Sequence, residues 1–182
     1  MTCKLTQGRQ LSGCYENFGG LKTVFIANFD DIDAISISGG TVTDITLTGS
    51  STNFYQFDLH EKAETDEFSE ELNFEISNAA KSYTQTLTLL FNKYGSDERD
   101  IVQSIASTAT VVVVKDNNDN YWLMGKTRGC HLDSAETGSG TALSERNGTT
   151  LSIVGTEPQP MNYVDNSQVQ SGDGIETIAS YS

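Results

Sequence analysis

Polar and apolar positions alternate most clearly between Phe68 and Phe91, FSEELNFEISNAAKSYTQTLTLLF. Leu72, Phe74 and Ile76 share one parity, and Glu71, Asn73 and Glu75 the other. Further on, Tyr83, Gln85, Leu87, Leu89 and Phe91 alternate with Thr84, Thr86 and Thr88. A period of two places successive side chains on opposite faces of a strand, so each run predicts a strand with one buried face. The polar joint Asn78-Ala79-Ala80-Lys81 has the length of a hairpin loop. The stretch therefore predicts a long β-hairpin with roughly ten residues per arm, too long to be stable in water without a larger sheet.

The same pattern predicts the other elements. Leu21 to Phe29 is nearly unbroken in apolarity and reads as a central, buried strand. Ala34 to Ser38 and Thr41 to Thr48 flank Gly39-Gly40, a two-residue hairpin signal because both central positions can take positive φ. Asn53 to Leu59 reads as a strand with Tyr55, Phe57 and Leu59 in phase. Ser96 to Thr108 is the one helical stretch, with Ser96 as N-cap, Asp97 and Glu98 in the first turn, and an apolar stripe of Ile101, Val102, Ile105 and Ala106. Thr110 to Lys115 and Tyr121 to Gly125 form a second hairpin around Asp116 to Asn120, with Tyr121 and Trp122 in the core. Residues 126 to 148 read as loop, Thr149 to Val154 as a further strand, and everything from Gly155 onward as polar tail. The opening twenty residues are polar and punctuated by Gly8, Gly13, Gly19 and Gly20.

Length and charge narrow the class. The 182 residues suit one domain with a real core. No apolar run reaches the roughly 18 residues of a membrane helix, and MTCKLTQGRQ has no signal-peptide core, which points to folding in a cytoplasm. The net charge is −14, from 25 acidic and 11 basic side chains, which opposes a role that grips nucleic acid by its phosphates. It does not oppose a surface past which nucleic acid slides. Between Asp58 and Glu75 eight acids (Asp58, Glu61, Glu64, Asp66, Glu67, Glu70, Glu71, Glu75) stand against Lys62 alone. One pair about 10 Å apart in water costs only ~0.4 kcal/mol, but around a ring of subunits the repulsion accumulates, so such a face is wet or lines a channel.

Candidate chemistry adds little. Cys3, Cys14 and Cys130, an odd number without C-x-x-C spacing, read as reduced thiols. A zinc site would need them to converge with His131, and Cys130 and His131 are neighbours whose side chains diverge on a strand. Asp116-x-Asn118-x-Asn120 imitates the start of a calcium loop, but Tyr121 stands where glycine is needed and Thr127 where the twelfth-position glutamate is needed. Gly138-Ser139-Gly140 lacks a phosphate-loop lysine, and the sequon Asn147-Gly148-Thr149 has no secretory context. The two histidines, His60 and His131, have no partner set for hydrolysis, and no G-x-S-x-G, H-E-x-x-H or G-x-G-x-x-G occurs. The expectation is a non-enzymatic protein without metal or cofactor.

Three pieces carry a family resemblance: GCYENFGGLKTVFIANF (13 to 29), the long hairpin with the helix after it (68 to 106), and KDNNDNYWLMG with SERNGTTLSIVGTEP (115 to 125 and 144 to 158). In this order they resemble the tail-tube (major tail) proteins of tailed bacteriophages. The resemblance implies a mainly β fold: a β-sandwich with one flanking helix, over residues 1–155, and a polar C-terminal arm over 156–182. It implies hexameric rings, stacked, whose long hairpins close an inner barrel around an acidic lumen for DNA ejection. Leu72, Phe74, Ile76, Leu87 and Leu89 are then the assembly face of the hairpin, and Glu67, Glu70, Glu71 and Glu75 the lumen. The implied partners are copies of the same chain and other tail or neck proteins, with DNA passing without specific binding and no membrane. The implied location is the virion, after assembly in the host cytoplasm. A neck ring, a capsid decoration protein and a β-sandwich binding module remain open alternatives.

Overall fold

The computed structural model describes residues 18–48, 54–59, 66–77, 79–93 and 95–165. Cys3, Cys14, Gly8, Gly13, His60, the acids Glu61 and Glu64 with Lys62, Asn53, and the arm beyond Asp165 lie outside the described residues.

The chain is mainly β, with two sheets and one α-helix among the described residues. The strands are β1 (Leu21–Asn28), β2 (Ile32–Ser38), β3 (Thr41–Leu47), β4 (Tyr55–Asp58), β5 (Glu67–Glu75), β6 (Ala80–Asn92), β7 (Thr110–Asp116), β8 (Tyr121–Met124), β9 (His131–Gly138), β10 (Gly148–Glu157) and β11 (Asn162–Val164). Helix α1 (Ser96–Ser107) links β6 to β7. Seven strands form one sheet in the order β2-β3-β11-β8-β7-β1-β4, and four form the other in the order β5-β6-β10-β9.

The apolar runs fill the interior as their patterns require. β1 and β7 pair antiparallel in the large sheet, and Val111 to Val114 are completely buried, as expected of a run apolar on both parities. One parity of this pair (Val24, Ile26, Val112, Val114) meets Leu87, Leu89, Leu151 and Ile153 of the small sheet in a cluster. The other parity (Phe25, Ala27, Val111, Val113) packs with Val42, Ile45 and Phe54 in a second cluster within the large-sheet strands. The Gly39-Gly40 turn forms as predicted, with φ of +62° and +90°.

Four local expectations shift. The long hairpin turns at 76–79, two residues early: Glu75 pairs with Ala80, and Ala79 takes φ +50° while its N–H donates to the Ile76 carbonyl. The N-cap of α1 is Gly95, whose N–H donates to the Glu98 carboxylate at 2.9 Å. On α1 only Ile105 is buried; Ile101 and Val102 are half-buried and Ala106 is exposed. The interval 126–148 is not all loop, since β9 pairs with β10 along its length. Its sequence, HLDSAETG, is polar on both parities because β9 is an edge strand with both faces largely exposed.

The polar stretch after Gly155 also contributes to the fold. β10 runs on to Glu157, and β11 slots between β3, in parallel, and β8, antiparallel. The strand is only three residues long, and Val164 is its one fully buried side chain, too little to show as a period in sequence.

Candidate assembly surface

The four-stranded sheet has two contrasting faces, and register decides which residue lies on which. Glu67 pairs with Thr88, Ser69 with Thr86, Glu71 with Thr84 and Asn73 with Ser82. On β10, Ser152 pairs with Thr88 and Thr156 with Thr84, and on β9 Ser134 follows Ser152. Glu67, Glu71 and Glu75 therefore stand on one face among threonines and serines. None of these residues is buried. The rows are joined by local hydrogen bonds: Asn73 Nδ2 donates to Thr84 Oγ1 at 2.8 Å, and Arg146 Nη2 to Thr150 Oγ1 at 3.0 Å. At the hairpin end Ser77 donates through its N–H and hydroxyl to Glu75, and the hydroxyl bond, the stronger influence, holds that carboxyl below its usual range.

Glu70 does not belong to this row. It pairs with Gln85, so it shares the face of Phe68, Leu72 and Phe74. Its Oε1 accepts from Gln85 Nε2 at 3.2 Å and from the Met161 N–H at 2.6 Å. Gln85, only 1% exposed, in turn accepts at Oε1 the Gly125 N–H, at 3.1 Å. A chain of hydrogen bonds thus crosses from the small sheet to the turn after β8. Sequence parity alone puts Glu70 with Leu72; counting acids obscured it.

The apolar face of the hairpin divides into two halves. Leu87 and Leu89 are 0% exposed, in the core with Leu151 and Ile153. Leu72, Phe74 and Ile76 are 53%, 61% and 81% exposed. The reason is length. β10 pairs with β6 only from Asn92 to Tyr83, so from Ser82 to the turn the hairpin is two-stranded; Leu72, opposite Tyr83, stands at the last three-stranded position, and Phe74 and Ile76 project past it. A two-stranded ribbon is marginal alone, and exposed apolar residues in a row mark an interaction face. At its base Lys81 lies over the Tyr83 ring, 5.4 Å from the centroid.

Both edges of this sheet are open. Among the described residues no strand pairs with the outer edge of β5, nine residues long, or of β9, eight residues long. Long unpaired edges are templates for another chain.

Two buried acids went unnoticed in the sequence. Asp66, just before β5, accepts the Leu90 N–H at 2.7 Å; burial raises its carboxyl above the usual range, against the opposing pull of that bond and of Arg146. Glu157, 3% exposed, accepts the N–H groups of Thr127 and Arg128 at 2.9 Å each and so holds the turn after β8. An acid among other polar residues carries no sequence signal of burial.

The other candidate chemistry is structural where it falls among described residues. Asp116 Oδ1 accepts the N–H groups of Asn118 and Asn120 inside its own turn, so the calcium-like spacing serves a turn. Asn118 also donates to the Phe18 carbonyl and accepts the Phe18 N–H, tying the chain entering β1 to this turn. Cys130 is buried, its thiol pushed up to about 12 by burial and then by the Glu157 charge, while His131 beside it is exposed. Among the described residues no group of three or more His, Cys, Asp and Glu could hold a metal ion, and no helix is long and apolar enough to cross a membrane. Cys130 is expected to resist alkylation by iodoacetamide at pH 8 in the folded protein and to react promptly in denaturant, as read by peptide mass mapping. Equal labelling in both states would contradict the buried thiol.

No family model matches the chain, and no significant match was found among curated proteins or solved structures.

Proposed function

We propose that the chain is a structural subunit that assembles with copies of itself into rings, stacked as a tail-tube-like or neck conduit through which DNA passes. In this reading the two sheets pack as a β-sandwich with α1 on its flank, and the β5–β6 hairpin makes the assembly. One observation carries it: a hairpin that outruns its own domain with a bare apolar face on one side and a row of Glu67, Glu71 and Glu75 on the other. The open edges β5 and β9 are different surfaces of near-equal length at opposite sides of one sheet. Pairing β5 of one copy with β9 of the next is a heterologous contact; with a rotation that closes, it gives a ring that leaves neither edge of the small sheet exposed. The glutamate and hydroxyl face would line such a ring. Its charge would repel phosphates and its hydroxyls keep it wet, so DNA could move without being held.

Electron microscopy of the purified protein at high concentration tests this. Rings or tubes are expected; isolated rings that never stack favour the neck-ring form, and a protein that stays monomeric at every concentration removes the proposal. The luminal face is tested separately. Glu71→Lys with Glu75→Lys is expected to preserve assembly and to make the assembled form retain double-stranded DNA at low salt, an effect lost as salt rises. Assemblies that ignore DNA after this charge reversal would mean that the glutamate row faces elsewhere.

A further inference from the structure

The head of β5 is tied to β6 by a side chain where the ladder stops. Glu67 pairs with Thr88, the last β6 residue that β5 reaches. Leu90 lies two residues further on, and its N–H donates instead to Asp66 Oδ1, at 2.7 Å. The carboxylate thus takes over a backbone donor that β5 itself no longer reaches. Asp66 is 5% exposed, and among the described residues its Oδ2 has no hydrogen-bond partner. A buried carboxylate with one oxygen unpaired is an unfavourable place for a negative charge.

Few groups offset that charge. Arg146, from the β9–β10 connection, is the charged side chain that acts on Asp66, and it favours the ionised form. β6 contributes the Leu90 N–H, which favours that form too; its residues Thr88, Leu89, Leu90, Phe91 and Asn92 carry no titratable side chain. The neighbour on its own strand, Glu67, is exposed. Burial outweighs both favourable contacts, so the carboxyl is raised above its ordinary 3.8. The folded chain therefore holds this proton more tightly than the unfolded chain. That gains stability as pH falls through the raised range towards 3.8 and loses it as pH rises.

We infer that Asp66 is a proton-operated latch: with the proton on, the head of β5 closes firmly on β6, and with the proton off, the head loosens. The protonated carboxyl still accepts the Leu90 N–H through its carbonyl oxygen, so the tie survives while the buried charge goes. The rest of β5 is held separately, by its ladder to β6 and by Glu70, which accepts the Gln85 side chain and the Met161 N–H. Loosening is therefore local to the head. β5 is an edge strand, paired among the described residues with β6 alone, so no second strand holds the head in place. The latch belongs to the single chain and does not depend on the assembly proposal.

Hydrogen exchange of the full-length wild type and of Asp66→Asn, both kept dilute enough to be monomeric, tests the latch between about pH 7.5 and about pH 4. Asparagine keeps an acceptor oxygen for Leu90 and has no proton to lose. Protection at residues 88–92 is corrected for the intrinsic rate at each pH and read against Val111 to Val114 of β7. On acidification the wild type is expected to gain several-fold in this relative protection, and Asp66→Asn to change little. In parallel, denaturant unfolding is followed by the fluorescence of Trp122, the one tryptophan of the chain, whose ring lies 6.3 Å from that of Phe68 on β5. The midpoint of Asp66→Asn minus that of the wild type is expected to be larger at about pH 7.5 than at about pH 4. A difference that stays constant with pH, or changes in the opposite sense, overturns the latch whatever its size. Should Asp66→Asn not fold, Asp66→Ser takes its place, and a wild type whose relative protection at 88–92 fails to rise in acid overturns the latch without any variant.

Discussion

Replacing Leu72 and Phe74 together by aspartate is expected to abolish assembly while leaving the folded monomer intact. Fully burying one such side chain stabilises by about 1.5–3 kcal/mol, and about half of each is still in water in the isolated chain. Covering what remains of both is worth roughly 2–3 kcal/mol per contact, about a hundredfold in association. Because every subunit repeats the contact around a ring, the concentration for assembly should rise by at least that factor, as measured by sedimentation velocity and light scattering. The substitutions fall at the last position where β10 still pairs with β6 (Leu72) and just beyond it (Phe74), away from the core cluster that includes Leu87 and Leu89. The melting temperature of the monomer should therefore move by only about 2 °C. Unimpaired assembly would show that the bare face is not an interface; a large drop in melting temperature would mean that the hairpin end matters to the fold.

The second large effect belongs to Gln85. Its side chain links Glu70 on β5 with the Gly125 N–H after β8, deep between the two sheets. Gln85→Leu keeps the volume and removes both hydrogen bonds, leaving the Gly125 N–H buried without a partner. A cost of about 1–3 kcal/mol is expected. Gln85→Ala adds a cavity and should cost about 3–5 kcal/mol, lowering the melting temperature by roughly 6–15 °C. Chemical denaturation of the two variants separates the contributions: the Leu variant reports the hydrogen bonds, and the difference between the two reports packing. If Gln85→Leu proves as stable as the original chain, the bonds between the sheets contribute nothing net.

Much of this arrangement was legible in the residues. The alternation from Phe68 to Phe91 located the hairpin, because a strand with one buried face must repeat every two residues. The unbroken run of β1 gave away a central, buried strand, and the run of β7 showed one arm of a hairpin. Gly39-Gly40 marked its turn, since few other pairs accept positive φ twice. The helix was readable from its acids and its stripe, although its cap lies one residue earlier, where Glu98 reaches back to Gly95, and only Ile105 of the stripe is buried. Elements without a period stayed hidden. β9 is polar on both parities because neither face is covered, and β11 is too short to repeat anything.

By itself, then, the sequence determined that this chain is mainly β, carries one helix, and builds its longest element as a hairpin with an acidic parity, since local periodicity and turn chemistry are written residue by residue. Tertiary structure alone decided the rest. Where β10 stops along β6 decides that Leu87 is core and Phe74 is bare, although both lie on one face and look alike in the pattern. Pairing with Gln85 puts Glu70 on the face of Phe68 and Leu72 while Glu67, Glu71 and Glu75 stand on the other. Those outcomes depend on which strands become neighbours and how far they overlap, and contacts between distant residues leave no mark in the order of the chain.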